Sequence, residues 1–290
     1  MTAPDARPGQ VPAPDMPEIY AKRDWDKGPK TYTDQGFLDM IHRATGLGDI
    51  QGEAVVLDLM SGPGKVGKGL MDRSPGHRFV AVEASAVSLG KVPEGIERIQ
   101  ADVRDLSGVP LADVAVVRYG LKDIPQDQQP NVLAGINDVL KPGGVLVVAD
   151  MVSPDGMKAR TNAQHSAKQV LGGRDLDERG RCNIPTEDQW VSLLNNAGFR
   201  VSSIKDYVSQ VSTQDWENGG QFKQPGGRKA MDHLLARQPE YFRQRFNIRG
   251  NQDGPVGIDF PVLVIRAEKP LRPVEPRIRA LAPSAVVVQF

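Results

Sequence analysis

The sequence predicts an α/β domain in which short strands, most of them parallel, alternate with helices. Between about residues 54 and 268, apolar runs of strand length are separated by longer helix-forming stretches, a pattern typical of strand–helix–strand units. A glycine-rich turn directly follows the first of these runs. The run at 113–118 is largely apolar on both faces, so we expect it inside a sheet that helices cover on both sides.

The glycine-rich turn predicts a loop that binds a small molecule. Ala54 to Leu59 is a mostly apolar run of strand length, and Ser61, Gly62 and Gly64 follow before helix-forming residues resume. Because glycine has no Cβ, a ligand can approach the bare backbone at such a turn. The first free N–H groups of the next helix then point at the bound molecule.

The residues around this turn narrow the class of ligand. Lys65 is followed by Val66 rather than by a hydroxyl residue, so the pattern that grips a nucleoside triphosphate is absent. Residues 62–67 have the spacing Gly-x-Gly-x-x-Gly, and a second apolar strand at 79–82 ends in Glu83. An acid at the end of the second strand accepts hydrogen bonds from ribose hydroxyls. A site for a nicotinamide dinucleotide and a site for S-adenosylmethionine would both have these features.

Composition and charge disfavour several other classes of function. The chain has 290 residues, 39% of them hydrophobic, and a formal net charge of zero, which offers no long-range attraction to nucleic acid or to an anionic membrane. Cys182 is the only cysteine, so an intrachain disulfide is excluded and a reducing compartment such as the cytoplasm is expected. No apolar run has the length of a membrane-spanning helix.

Both ends of the chain differ in composition from its middle. Residues 1–18 are rich in proline and poor in apolar side chains, which predicts a flexible leader. Thr33 is predicted to cap a helix that runs to about Thr45. Residues 271–290 form a tail that prolines interrupt.

The remaining elements follow from apolar periodicity and from turn residues. Thr186 and Gln189 form a capping box that begins one of the helices. In chain order we predict a helix at 65–73, a strand at 78–83, a helix at 86–92, strands at 96–100 and 113–118, a helix at 127–140, a strand at 144–150, a helix at 187–197, and strands at 199–208 and 260–268.

Polar residues that follow the third and fourth strands are candidates for ligand contact. Asp102 directly follows the third strand, where it would either contact adenine or cap a helix. Tyr119, Lys122 and Asp123 follow the fourth strand. If the strand order reverses between strands one and four, these three residues lie beside the glycine loop, and Lys122 is otherwise a solvated surface lysine.

Two long stretches between strands are predicted to cap the ligand cleft, because loops at the carboxyl ends of a parallel sheet face it. Residues 151–183 contain His165, the first candidate for a general base, although a lone helical histidine often has no such role. Residues 217–259 contain four arginines that would attract an acidic substrate or form a solvated helical face: Arg237, Arg243, Arg245 and Arg249. No histidines show metal-ligand spacing with carboxylates, so no metal site is expected.

Several motifs resemble those of the class I S-adenosylmethionine-dependent methyltransferases, and they occur in the same order as in that family. Residues 56–64 are similar to the first motif of that family, and residues 80–85 to its ribose-binding motif. Residues 101–103 resemble the end of the third strand that meets adenine. The Leu-Lys-Pro-Gly-Gly stretch at 140–150 and the Asn-Ala-Gly-Phe at 196–199 resemble later signatures. The match covers about residues 50–268, and Met60 stands where the family usually has glycine.

The resemblance implies a fold and a domain plan. The expected fold is a Rossmann-like sheet of seven strands, mostly parallel with the last strand antiparallel, with helices on both faces. Residues 19–270 would be the methyltransferase domain, 19–46 its N-terminal helical lid, and 151–183 and 217–259 its caps, with a helical insertion before the last strand.

The resemblance also implies S-adenosyl-L-methionine as the cofactor and a small-molecule acceptor as the partner, with no nucleic acid and no membrane. The residues expected at the cofactor are Asp58, Met60, Ser61, Gly62, Gly64, Glu83, Ala84, Asp102, Val103, Arg118, Tyr119 and Tyr32. His165 and Tyr119 are the candidate catalytic residues. Tyr20, Trp25 and Tyr32 are candidates for lid aromatics near the sulfonium.

The leading hypothesis is methyl transfer from S-adenosylmethionine to a carbon or oxygen of a small molecule, in natural-product biosynthesis. One alternative is a relative that binds the cofactor without transferring a methyl group, as a cyclase or partner subunit. Another is an NAD-dependent oxidoreductase. The sequence leaves open whether the chain forms a homo-oligomer.

Overall fold

A seven-stranded sheet forms the centre of the molecule. The computed structural model describes residues 28–173, 182–251 and 253–271, so the predicted leader and most of the predicted tail lie outside the described residues. The strands are β1 (Val55–Leu59), β2 (Arg78–Glu83), β3 (Glu97–Gln100), β4 (Ala112–Arg118), β5 (Leu140–Met151), β6 (Arg200–Ser212) and β7 (Gly257–Glu268). Their spatial order is β3-β2-β1-β4-β5-β7-β6.

The pairing directions confirm the predicted sheet. Strands β3, β2, β1, β4 and β5 pair in parallel, whereas β7 lies antiparallel to both β5 and β6. The order of strands along the chain reverses between β1 and β4, where Leu59 is paired with Val117. Since a crevice opens at such a reversal, the carboxyl ends of β1 and β4 define the place for a ligand.

Nine α-helices lie among the described residues: α1 (Gln35–Thr45), α2 (Lys65–Arg73), α3 (Ala86–Leu89), α4 (Gln129–Asp138), α5 (Lys158–Leu171), α6 (Glu187–Asn196), α7 (Thr213–Asn218), α8 (Gly227–Ala236) and α9 (Glu240–Arg245). The capping box of α6 is present as predicted. The prediction for α1 was wrong at one residue: Asp34, not Thr33, is its N-cap, and its carboxylate accepts from the N–H of Phe37 at 2.7 Å.

Several strand and helix bounds also differ from prediction. Strand β5 begins at Leu140 rather than at 144, because its pairing with β4 shifts register near Ala112 and the irregularity accommodates Pro142. Strands β6 and β7 are longer than predicted because they pair with each other as far as Ser212 and Gly257. The helix at 86–92 is limited to α3.

Three groups of buried apolar side chains form the core. Two lie on opposite faces of the sheet, one including Leu57, Val117 and Trp190 and the other Val56, Phe37 and Val116. The third lies under helices α7 to α9 and contains Trp216, Met231, Phe242, Phe246 and Phe260. The segment between β6 and β7 therefore packs as a helical cap with its own apolar interior.

Candidate active site

A cavity of about 250 Å³ opens at the carboxyl ends of the central strands. Of the residues expected at the cofactor or in catalysis, it brings together Asp58, Met60, Ser61, Gly62, Glu83, Ala84, Asp102, Val103, Arg118, Tyr119 and His165. Gly64 does not line the cavity but begins α2 with a φ of 74°. The Tyr32 side chain, Tyr20 and Trp25 lie outside what the structure describes. Pro29 and Thr31, from the segment before α1, line the cavity as well.

The glycine loop and the acid of the second strand are in direct contact. The N–H of Gly62 donates to Oε2 of Glu83 at 2.8 Å, and the N–H of Ser85 donates to Oε1 at 2.9 Å. This contact follows from the sheet, because β1 and β2 pair in parallel and Leu59 is opposite Val82. Each carboxylate oxygen has a second lone pair, so Glu83 can still accept from a ligand's hydroxyls.

Asp58 supports the loop from beneath. It is 4% exposed, and its Oδ2 accepts from the N–H of Gly67 at 2.8 Å. A Cβ at Gly67 would lie 3.2 Å from that oxygen, so glycine permits the close approach. Burial raises the pKa of Asp58 to about 7, against the opposing effects of the Gly67 hydrogen bond and the Arg118 charge.

This raised pKa makes folding stability depend on pH. Because the pKa is near 7 in the folded state and 3.8 for the free group, Asp58 stabilises the fold at low pH, and the contribution is lost as pH rises through 7. By linkage the loss of unfolding free energy between pH 5 and pH 8 is about 2–3 kcal/mol.

We expect Asp58→Asn to remove this part of the pH dependence of the urea-unfolding free energy. Asp72→Asn, at an exposed carboxyl, should leave it intact; equal pH profiles for Asp58→Asn and wild type would contradict the assignment.

Met60 and Tyr119 occupy equivalent places, each directly after a central strand, and each has a φ of 55°. This left-handed region costs a residue with a side chain roughly 1–2 kcal/mol, which accounts physically for glycine at the position of Met60 in the resembling family. Met60 packs on Gly120, where a Cβ would lie 2.5 Å from its Sδ. The Met60 side chain thus fills space that the missing Cβ leaves at the cavity wall.

Asp102 holds the turn that follows β3. Its Oδ1 accepts from the backbone N–H and from Nε of Arg104, both at 2.9 Å. Burial acts to raise the pKa of Asp102, but the hydrogen bonds from Arg104 outweigh it and lower the pKa. Within the described chain no helix begins at Asp102, so the helix-cap alternative is wrong and the residue lines the cavity.

The opposite end of the cavity is lined by Asp123, His165 and Gln169. Together with the buried Cys182 they form a polar cluster, which we call the acceptor-end cluster. Oδ1 of Asp123 is 3.7 Å from Nε2 of His165, 3.3 Å from Nε2 of Gln169 and 3.4 Å from Sγ of Cys182. Nε2 of Gln169 is also 3.3 Å from Nε2 of His165. Residues from three separate segments thus meet at one carboxylate oxygen.

His165 is deeply buried in this cluster, at 3% exposure on α5. Burial lowers its pKa to about 4, the contact with Asp123 opposes the shift, and the charges of Lys122 and Lys168 add to it. The imidazole is therefore neutral at pH 7, with one ring nitrogen carrying a lone pair.

Lys122 differs from its predicted place on the surface. It is 7% exposed, and its Nζ donates to the backbone oxygen of Tyr119 and to Oδ2 of Asp123, the latter at 3.0 Å. Its backbone N–H donates to Asp150 at 3.2 Å, and burial raises the pKa of that acid to about 6. The interpretation of Lys122 as a solvated lysine is wrong.

The wall around the cluster comes from residues that sequence reasoning missed. Lys168 lies with its Nζ 4.5 Å from the centre of the Trp216 ring, and Met151, Val211 and Phe260 also line the cavity. No short-range pattern marks these residues, because they come from β5, α5, α7 and the paired ends of β6 and β7. The arginines of the insertion do not line the cavity. Arg237, Arg245 and Arg249 are exposed, which supports the solvated-face interpretation.

A mostly parallel sheet with a glycine loop hydrogen-bonded to an acid at its reversal point defines a protein that binds a ribose-containing cofactor. The family described as "Methyltransferase domain" matches residues 32–204, more than half of the chain. The chain belongs to this family.

Two known proteins are similar to the chain over more than half of its length. The chain is 24% identical over 200 residues to a carboxy-S-adenosyl-L-methionine synthase of Hydrogenovibrio crunogenus, covering 58% of this chain and 80% of that protein. It is 25% identical over 179 residues to a demethylmenaquinone methyltransferase of Chlamydia caviae, covering 54% and 76%.

Solved structures share the fold. The YcgJ protein from Bacillus subtilis has a TM-score of 0.67 at 16% identity, covering 80% of this chain and 97% of that one. The [4+2]-cyclase SpnF has a TM-score of 0.52 at 15% identity, covering 82% and 81%.

The cofactor of the family is S-adenosylmethionine, and the cavity fits it. Glu83 offers two carboxylate oxygens beside a loop whose Gly62 exposes bare backbone, as a ribose requires.

Among the described residues, none of the helices is long and apolar enough to cross a membrane.

Proposed function

We propose that the protein transfers the methyl group of S-adenosylmethionine to a carbon or oxygen of a small molecule, in natural-product biosynthesis. The observation that carries the proposal is one cavity with two chemically different ends. The loop at Gly62 and the Glu83 carboxylate lie at one end, and the acceptor-end cluster and the Trp216 wall lie at the other. The cytoplasm is the proposed compartment, because the single cysteine stays reduced there.

The residues of the chain have distinct proposed roles. Glu83, Gly62 and Asp102 hold the adenosyl part, and Asp58 keeps the loop in shape through Gly67. When bound, the cofactor supplies a methyl group on a positively charged sulfur. Tyr119, after β4, lines the same cavity, and we assign it and His165 to contact with the acceptor. Alignment and exclusion of water are the main contributions, because an activated methyl group needs correct geometry more than acid–base help.

A small acceptor suits the shape of the site. The helical cap between β6 and β7 contributes Trp216, and the segment before α1 contributes Pro29 and Thr31, so the cavity has walls on several sides. Oγ1 of Thr31 lies 2.8 Å from Oγ of Ser209, which joins the N-terminal segment to β6, the strand that leads into the cap. A cavity lined in this way favours a compact molecule over a polymer.

The experiment is a methyl-transfer assay with S-adenosylmethionine labelled in its methyl group and a panel of phenols, enols and carboxylic acids. We expect label in one class of acceptor together with formation of S-adenosylhomocysteine. Native mass spectrometry of the purified chain, together with titration of S-adenosylhomocysteine and of NAD, tests the cofactor separately. Failure to bind S-adenosylhomocysteine would overturn the proposal. Tight binding without a methylated product across the panel would favour the cyclase or partner-subunit alternative.

A further inference from the structure

We propose that Asp123, His165 and Cys182, with the amide of Gln169, form a site for one divalent transition-metal ion, of which zinc fits best. The sequence predicts no metal site, because no histidines have metal-ligand spacing with carboxylates. In the fold the donors come from three segments far apart in the chain: the turn after β4, helix α5 and the residue at 182.

The distances from Asp123 to the other two donors match those of a tetrahedral metal site. Metal bonds of about 2.0–2.3 Å to oxygen, nitrogen and sulfur put neighbouring donor atoms roughly 3.3–3.7 Å apart. Oδ1 of Asp123 is 3.7 Å from Nε2 of His165 and 3.4 Å from Sγ of Cys182. All three donor atoms lie within 4.8 Å of one another, so a single ion can contact each of them.

The Gln169 amide lies at the remaining corner. Its Nε2 is 3.3 Å from both Oδ1 of Asp123 and Nε2 of His165. A half-turn of an amide exchanges its nitrogen and oxygen with little change in shape, so the carbonyl oxygen can occupy the same corner as a ligand. Asp123, His165 and Gln169 also line the cavity, so an oxygen of a bound molecule can add as a fifth ligand, since zinc expands from four to five ligands during catalysis.

The charges around the cluster are compatible with a divalent cation. A carboxylate and a thiolate supply two negative charges, and imidazole and amide ligands are neutral. Nζ of Lys122 donates to the other oxygen of Asp123, Oδ2, at 3.0 Å, so this contact orients the carboxylate. The Lys168 ammonium lies over the Trp216 ring at 4.5 Å, and the buried Asp150 adds negative charge behind Lys122.

The ion would serve the proposed reaction as a Lewis acid. A hydroxyl that binds zinc passes its proton to solvent more readily, so an acceptor oxygen at the fifth position would attack the methyl carbon while the C–S bond breaks and S-adenosylhomocysteine leaves with the electron pair. His165 would then act as a ligand rather than as a general base, since both roles need the same lone pair on Nε2. This role depends on the proposed function, whereas metal binding itself does not.

Titration of the full-length, metal-stripped protein with Co²⁺ alone tests the site without any assay of methyl transfer. We expect one Co²⁺ ion to bind per chain, with the near-ultraviolet absorption of a cobalt–thiolate bond and the visible bands of tetrahedral cobalt. Addition of Zn²⁺ should displace the Co²⁺ and remove both absorptions. Cys182 is the only cysteine, so the thiolate band reports this site alone. Absence of the thiolate band in the wild-type protein would overturn the proposal, whatever the variants show.

Two substitutions show whether the donors share one ion. His165→Asn should abolish the thiolate band although Cys182 is still present, and Gln169→Ala should weaken Co²⁺ binding by about 10–100-fold. His42→Asn is the matched control, because His42 contacts Ser74 away from the cavity, and it should keep the band. Circular dichroism confirms folding of each variant. A thiolate band that persists in folded His165→Asn would overturn the shared site, and unchanged S-adenosylhomocysteine binding keeps this result separate from the proposed function.

Discussion

Replacing Glu83 by Ala should weaken the binding of S-adenosylhomocysteine by about 5–150-fold, or 1–3 kcal/mol. The carboxylate has two tasks, since it accepts from the N–H groups of Gly62 and Ser85 and offers its remaining lone pairs to the ribose hydroxyls. Ala removes both. Isothermal titration of the purified protein with S-adenosylhomocysteine measures the effect.

Glu83→Gln separates charge from shape in the same experiment. Its carbonyl oxygen can accept from Gly62 or from Ser85, but its NH₂ group then faces the other N–H donor, so we expect a loss nearly as large as with Ala. Glu97→Gln, an exposed acid that pairs with Arg78, is the matched control and should bind normally. Wild-type affinity in folded Glu83→Ala would remove Glu83 from the site.

The cofactor end was predictable because its residues lie close together in sequence and in the sheet. A strand, a glycine turn and a helix follow one another, and the parallel pairing of β1 with β2 brings Glu83 to Gly62. The same local pattern could not indicate the φ of Met60 or the burial of Asp58. Both depend on what packs against the loop, namely Gly120 and the α2 backbone at Gly67.

The acceptor end could not be predicted to the same extent, because its residues meet only after the chain has folded. Asp123 and His165 are separated by β5, and Trp216 lies beyond β6. His165 was a candidate because it is one of four histidines and lies in the stretch predicted to cap the cleft, but its contact with Asp123 has no signature in the spacing of residues. Lys122 looked like a surface lysine because charge alone does not show that it is buried among Tyr119, Asp123 and Asp150.

Replacing Trp190 by Ala should cost about 3–5 kcal/mol of unfolding free energy. Trp190 is fully buried on α6 between the sheet and α4, and its Nε1–H donates to the backbone oxygen of Met151 at 3.0 Å. Truncation opens a large cavity in the core and leaves that oxygen without its indole donor. Urea unfolding monitored by far-ultraviolet circular dichroism measures the loss.

Trp190→Phe divides this cost into packing and hydrogen bonding. The smaller ring keeps most of the apolar contact but cannot donate to Met151, so we expect a loss of about 1–3 kcal/mol. Because Met151 ends β5 and lines the cavity, this variant should also alter the acceptor end while S-adenosylhomocysteine still binds at Glu83. Ser192→Ala, at an exposed position of the same helix, should change stability by no more than about 0.5 kcal/mol. If Trp190→Ala unfolds no more easily than that control, α6 does not anchor the end of β5.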